Sequence, residues 1–84
     1  MELIKPSLFS VMKRFPEYKR IVQRLFRKNE TFRTLCDDYG KCTETVSHWN
    51  RSTSEDAPVL REEYTELIRE IENEIRQFIE DDGT

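Results

Sequence analysis

Two glycines, three prolines, two cysteines and one histidine are all that the 84-residue sequence holds of these types. Each scarcity excludes something. So few glycines and prolines argue against a loop-rich β-sandwich and favour long helices. One histidine and no glycine-rich phosphate loop leave catalysis little to work with. No run approaches the roughly 20 apolar residues of a membrane helix, so membrane insertion is not expected. The opening "MELIKPSLFS" lacks the apolar core and small-residue cleavage site of a secretory signal, which points to a cytoplasmic protein. Cys36 and Cys42 stand six residues apart in a predicted helix and point in different directions. They read as reduced, buried thiols rather than a disulfide. A zinc site needs closer ligand pairs, and a di-metal carboxylate site needs Glu-x-x-His motifs; neither pattern occurs. The expectation is a protein without metal, cofactor or enzymatic activity.

What is present is charge and helical period. Charged residues make up 37% of the chain, enough to raise disorder as the alternative. One Trp, three Tyr and five Phe, set in a regular apolar pattern, argue against it. The net charge of −3 is unevenly spread. Residues 1–52 carry 11 Lys and Arg against 6 Asp and Glu, whereas residues 53–84 carry 3 against 11. Either the two halves face each other or each faces a different partner. The length suits one small domain with a modest core.

Residues 1–14 read as an apolar and basic arm carrying Leu3, Ile4, Leu8, Phe9, Val11 and Met12. Ser7 is the predicted cap of a short helix through Met12. Pro16 and Glu17 suit the start of a second helix. From there Tyr18, Val22, Leu25, Asn29, Phe32, Cys36, Tyr39, Thr43, Val46 and Asn50 recur in alternating steps of four and three, a heptad seam. Ile21, Leu35, Cys42 and Trp49 widen it on one flank. The pattern predicts one helix over about 16–51, with Gly40 as its weak point at about 1 kcal/mol against Ala.

The stretch "RSTSEDAP" interrupts the period, and Ser52 and Thr53 begin capping-like signals. A loop over about 52–57 and a second long helix over about 58–81 follow. Leu60, Tyr64, Leu67, Ile68, Ile71, Ile75, Phe78 and Ile79 share one face of that helix. A short connection between long helices implies an antiparallel pair. Folding the chain at the loop sets Tyr39 near Ile68 and Phe32 near Ile75. Residues 15–84 are thus predicted to be an all-α, coiled-coil-like antiparallel helical hairpin. Tyr18, Ile21, Val22 and Phe26 stay uncovered in this arrangement. Either the arm folds over them or self-association does.

Phe15-Pro16-Glu17-Tyr18 opening the long helix, Phe32, Leu35 and Tyr39 within "TFRTLCDDYG", and Leu60, Glu63, Leu67, Glu70 and Ile71 after an acidic loop together resemble the YdcH-like family of small bacterial proteins of unknown function. The resemblance covers roughly residues 15–80. It implies a helical hairpin or coiled coil, implies no enzyme activity and brings no functional residues with it. The longer arm, Gly40 and the arginine density of 20–28 depart from the family pattern.

Two surface features stand out. Arg20, Arg24 and Arg27 fall at i, i+4 and i+7 on one outer stripe, flanked by Lys13, Arg14, Lys19 and Lys28. Only Glu17 opposes them within residues 13–28. Phosphate contact with DNA or RNA is the sharper reading of this basic face. A solvated face, or one met by the acidic second helix of a neighbouring copy or by a protein partner, is the plainer reading. The acidic chain as a whole, with no aromatic platform for bases, favours the plainer one. Trp49 reads first as core packing near the loop and second as an exposed protein-binding anchor. His48 falls on the outer side of the heptad and reads as solvated. The sequence therefore points to a protein-interaction or assembly module, with an unidentified protein or a second copy as partner. A nucleic-acid-binding module using residues 13–28 is the alternative.

Overall fold

The computed structural model describes residues 5–83, and among these it contains helices and no strand. Helix α1 spans Pro6–Arg14, a 3₁₀ turn spans Pro16–Tyr18, α2 spans Lys19–Lys28, α3 spans Glu30–Asn50 and α4 spans Ala57–Gly83. The protein is all-α. Residues 1–4, with the Leu3 and Ile4 of the predicted arm, lie outside the described residues.

Pro6 opens α1 with Lys5 as the capping residue, so the cap expected at Ser7 is displaced. Ser7 sits inside the first turn, and its hydroxyl donates instead to Asp37 Oδ1 of α3 at 2.7 Å. The helix runs two residues past Met12, and Lys13 and Arg14 meet the negative end of its dipole.

The single helix predicted over 16–51 is divided, and the division falls at Asn29 rather than Gly40. Pro16 opens only the 3₁₀ turn. Asn29 takes an extended backbone, closes α2 with its own N–H on Leu25 O at 2.8 Å, and caps α3 by accepting from Phe32 N at 3.0 Å. Arg33 Nη1 then donates to the carbonyls of Phe26 and Arg27 at 3.0 and 3.2 Å. Carbonyls freed at the end of α2 are thereby satisfied across the break. Gly40 stays helical. A β-carbon there would stand 3.3 Å from Ser7 Cα, so the missing side chain lets α1 cross close over α3.

The connection covers 51–56, and α4 begins one residue before Pro58. Ser52 and Ser54 hold it locally: Ser54 N donates to Ser52 Oγ at 3.1 Å, and Ala57 N donates to Ser54 O at 3.1 Å.

Every helix contributes to one core. Val11, Val22, Phe32, Cys36 and Ile75 are fully enclosed. Burying an aliphatic or aromatic side chain of this kind is worth about 1.5–3 kcal/mol. Helix α1 lies mainly on α3, while α2 touches α1, α3 and the end of α4. Between α3 and α4, the rings of Phe32 and Phe78 meet edge to face with centroids 5.6 Å apart. The Tyr39 hydroxyl donates to Glu72 Oε2 at 3.0 Å. These partners lie three and four residues further along α4 than Ile75 and Ile68, the positions expected from folding at the loop. Two expected seam residues are exposed, Tyr18 at 42% and Asn50, three more, Asn29, Thr43 and Val46, are only half-buried, and Leu67 of α4 is 41% exposed.

Candidate interaction surfaces

The seven cations singled out in the sequence are all exposed. Lys13 and Arg14 close α1, and Lys19, Arg20, Arg24, Arg27 and Lys28 stand on α2. Arg20, Arg24, Arg27 and Lys28, with Gln23, line a shallow depression on α2. The face is not purely solvated, because α4 of the same chain meets part of it. Arg14 Nε donates to Glu72 Oε2 at 2.8 Å, and Arg24 Nη2 pairs with Asp82 Oδ2. Among the described residues, Lys19, Arg20 and Lys28 form no ion pair. Lys13 Nζ lies 6.0 Å from the centre of the Phe9 ring, an exposed cation–π contact.

Glu72 is the most constrained of these charges. Its Oε2 accepts from both Arg14 and Tyr39, and only 15% of its side chain is exposed. The hydrogen bond to Glu72, and then its charge, hold the Arg14 guanidinium above its ordinary pKa. Burial first, and the bond to Glu72 second, push the Tyr39 hydroxyl up to about 12. The guanidinium groups of Arg14 and Arg76 sit 5.2 and 5.6 Å from the Phe15 ring, so this ring is bordered by two cations. Glu72 was not among the residues singled out in the sequence. Its position in the line Ile68, Glu72, Ile75, Ile79 was the available signal, since that 4-3-4 spacing is the spacing of the core stripe.

A second surface lies near the connection between α3 and α4. Trp49 is half-buried and outside the core cluster, with its ring edge-on to His48 at 5.2 Å. It shares a depression with Tyr64, Lys41, Thr45 and His48. The buried residues of α3 stop at Cys42, and those of α4, apart from Ala57 at its start, begin at Ile71. Beyond those limits Val46, Trp49, Leu60, Tyr64 and Ile68 are only half-covered, and Val59 is 59% exposed. Tyr64 and Leu67 join Trp49 as candidates that only the folded chain brings forward.

The chemistry of the remaining groups is quiet. Burial, and then Asp37, push the Cys36 thiol up to about 12, and burial likewise raises Cys42, so both sulfurs are held as thiols. Among the described residues no three His, Cys, Asp or Glu side chains converge as a metal site. No described helix is long and apolar enough to cross a membrane. No family model, no curated protein and no solved structure matches the chain.

Proposed function

We propose that the chain is a non-enzymatic protein-interaction or assembly module in which α3 and α4 form an antiparallel, coiled-coil-like hairpin that binds through its outer faces. The observation that carries this reading is the half-buried Trp49, which lies outside the core and shares a surface depression with Tyr64. Large aromatic side chains on a partly open surface are the commonest anchors of protein contacts. The resemblance to the YdcH-like family belongs to the same proposal, and with it a bacterial, cytoplasmic setting.

Nucleic-acid binding is the second reading. Lys19, Arg20 and Lys28 favour it, being exposed and outside any ion pair among the described residues. Against it, Arg14 and Arg24 are already engaged by α4, and a net charge of −3 repels phosphate overall.

The test is retention from a lysate of the source cells by the chain tagged at Thr84, with and without nuclease. Protein retained after nuclease, and lost on Trp49→Ala, is the expected result. Retention that vanishes with nuclease, or with Arg20→Gln and Lys28→Gln together, sinks the reading and favours nucleic acid.

A further inference from the structure

Resting on the interaction-module reading, and naming the chemistry of its partner, we infer that the side of α3 and α4 turned away from α1 is a docking site for an amphipathic helix edged with Lys and Arg.

The apolar part comes from helical register. At 3.6 residues per turn, Leu35, Cys42 and Trp49 fall on one line along α3. Asp37, Gly40 and Ser47, which border α1, fall on another. On α4, Glu72 and Arg76 point toward α1 and Phe15, while Leu60, Leu67 and Phe78 lie round the helix on the other side. Leu35, Leu60 and Phe78 are half-covered and Leu67 is 41% exposed, so none of the described helices caps these four, while Cys42 on the same line of α3 is buried. Anchors spaced about one and two turns apart are what an amphipathic helix presents to a groove.

The charge comes from the next stripe of α4. Glu63, Glu66, Glu70 and Glu74 recur at steps of three and four, and all are exposed. None of them forms an ion pair among the described residues. Glu72 and Asp82, by contrast, are matched by Arg14 and Arg24. The arginines of α4 do not relieve the rim, because Arg61, Arg69 and Arg76 lie on a different stripe. The α4 border of the apolar strip is therefore of a single sign, and a partner that complements it is basic along that edge; the α3 side carries Lys41 beside Trp49 and Tyr64.

The same rim argues against a second copy as the occupant. Two-fold pairing through this side would bring Glu63, Glu66, Glu70 and Glu74 toward their own equivalents. The basic helix α2 of a second copy is no better suited. Its exposed residues are Lys19, Arg20, Arg24, Arg27 and Lys28, with no exposed apolar residue among them.

Trp49 is the single tryptophan, so its fluorescence reports from the proposed site. The probe is a designed helical peptide about three heptads long, with Leu at the core positions and Lys along both edges. Its twin carries Glu at the edges. The lysine-edged peptide is expected to shift Trp49 emission to the blue and saturate, and the glutamate-edged twin to bind at least about tenfold more weakly. Leu67→Ser should weaken binding. The triple change Glu63→Lys, Glu66→Lys, Glu70→Lys should reverse the preference between the peptides. Because all four positions are exposed, these variants keep the fold, which circular dichroism verifies. Equal binding of both peptides, no binding of either, or insensitivity to the triple change would overturn the inference. So would an emission shift that follows the protein's own concentration, since a second copy would then be the occupant. A protein retained from lysate by the Leu67→Ser and triple variants alike would defeat this site and leave the interaction module standing. Retention of nucleic acid alone would defeat the module itself.

Discussion

A β-carbon placed on Gly40 would stand 3.3 Å from both the Cα and the Cβ of Ser7. The glycine that looks like a flaw within α3 is thus a place where α1 crosses it closely. Two effects oppose each other at this position. Alanine would favour the helix by about 1 kcal/mol, while the crowding would push α1 outward. Gly40→Ala is expected to leave stability within about 1 kcal/mol of the parent, and Gly40→Leu to lower it by about 2 kcal/mol or more. Urea unfolding followed by circular dichroism distinguishes these outcomes. A Gly40→Leu variant as stable as the parent would show that the crossing is loose.

Asn29 serves both helices at the break, and its side chain caps α3 through Phe32 N. Asn29→Ala should cost about 1 kcal/mol, whereas Asn29→Asp or Asn29→Ser should cost little. Equal losses for all three would mean that the break is held by packing alone.

Alkaline pH should destabilise the fold through Tyr39. Its proton is held more tightly in the folded chain, with the pKa raised from 10.0 to about 12. The contribution is therefore complete below pH 10 and lost as pH rises from 10 through about 12. It amounts to something on the order of 2 kcal/mol. Tyr39→Phe should flatten that part of the stability curve. Equally steep curves for the parent and the variant would contradict the assignment.

Cys36 is fully enclosed and its thiol is raised to about 12. A disulfide-exchange reagent at pH 8 should react with it in the native protein only as fast as the fold opens, and rapidly in denaturant. Prompt labelling of Cys36 under native conditions would place that side chain nearer the surface than the structure does.

The helices were legible in the sequence where a stripe and a terminator agreed. The apolar face of α4 and its start beside Pro58 followed from that agreement, as did the burial of Phe32 and Ile75, whereas Val22, expected to lie beyond the hairpin's own cover, is fully enclosed. The break at Asn29 was not legible, because Asn29 also satisfies the heptad spacing. A capping residue followed by Glu30 reads as an ordinary polar seam position while the period continues through it. The basic face of residues 13–28 was legible as a charge run, but its pairing with α4 was not. Arg24 and Asp82 are 58 residues apart, and no local rule brings them together. The half-open state of Trp49 was equally invisible, since register alone cannot reveal that α1 lies along the face of α3 that holds Asp37, Gly40 and Ser47 rather than the face that holds Trp49.

The ion pairs Arg14–Glu72 and Arg24–Asp82 each join positions 58 residues apart. Of the described helices α4 is the last to be synthesised, and it carries Ile71, Ile75 and Ile79 of the core that Val22, Phe32 and Cys36 share. A nascent chain on the ribosome therefore holds three helices whose apolar faces lack their lid until translation has passed α4. Folding of this unit comes late and all at once, and a transcript cut short within α4 leaves a product for chaperones and proteases rather than a smaller working domain.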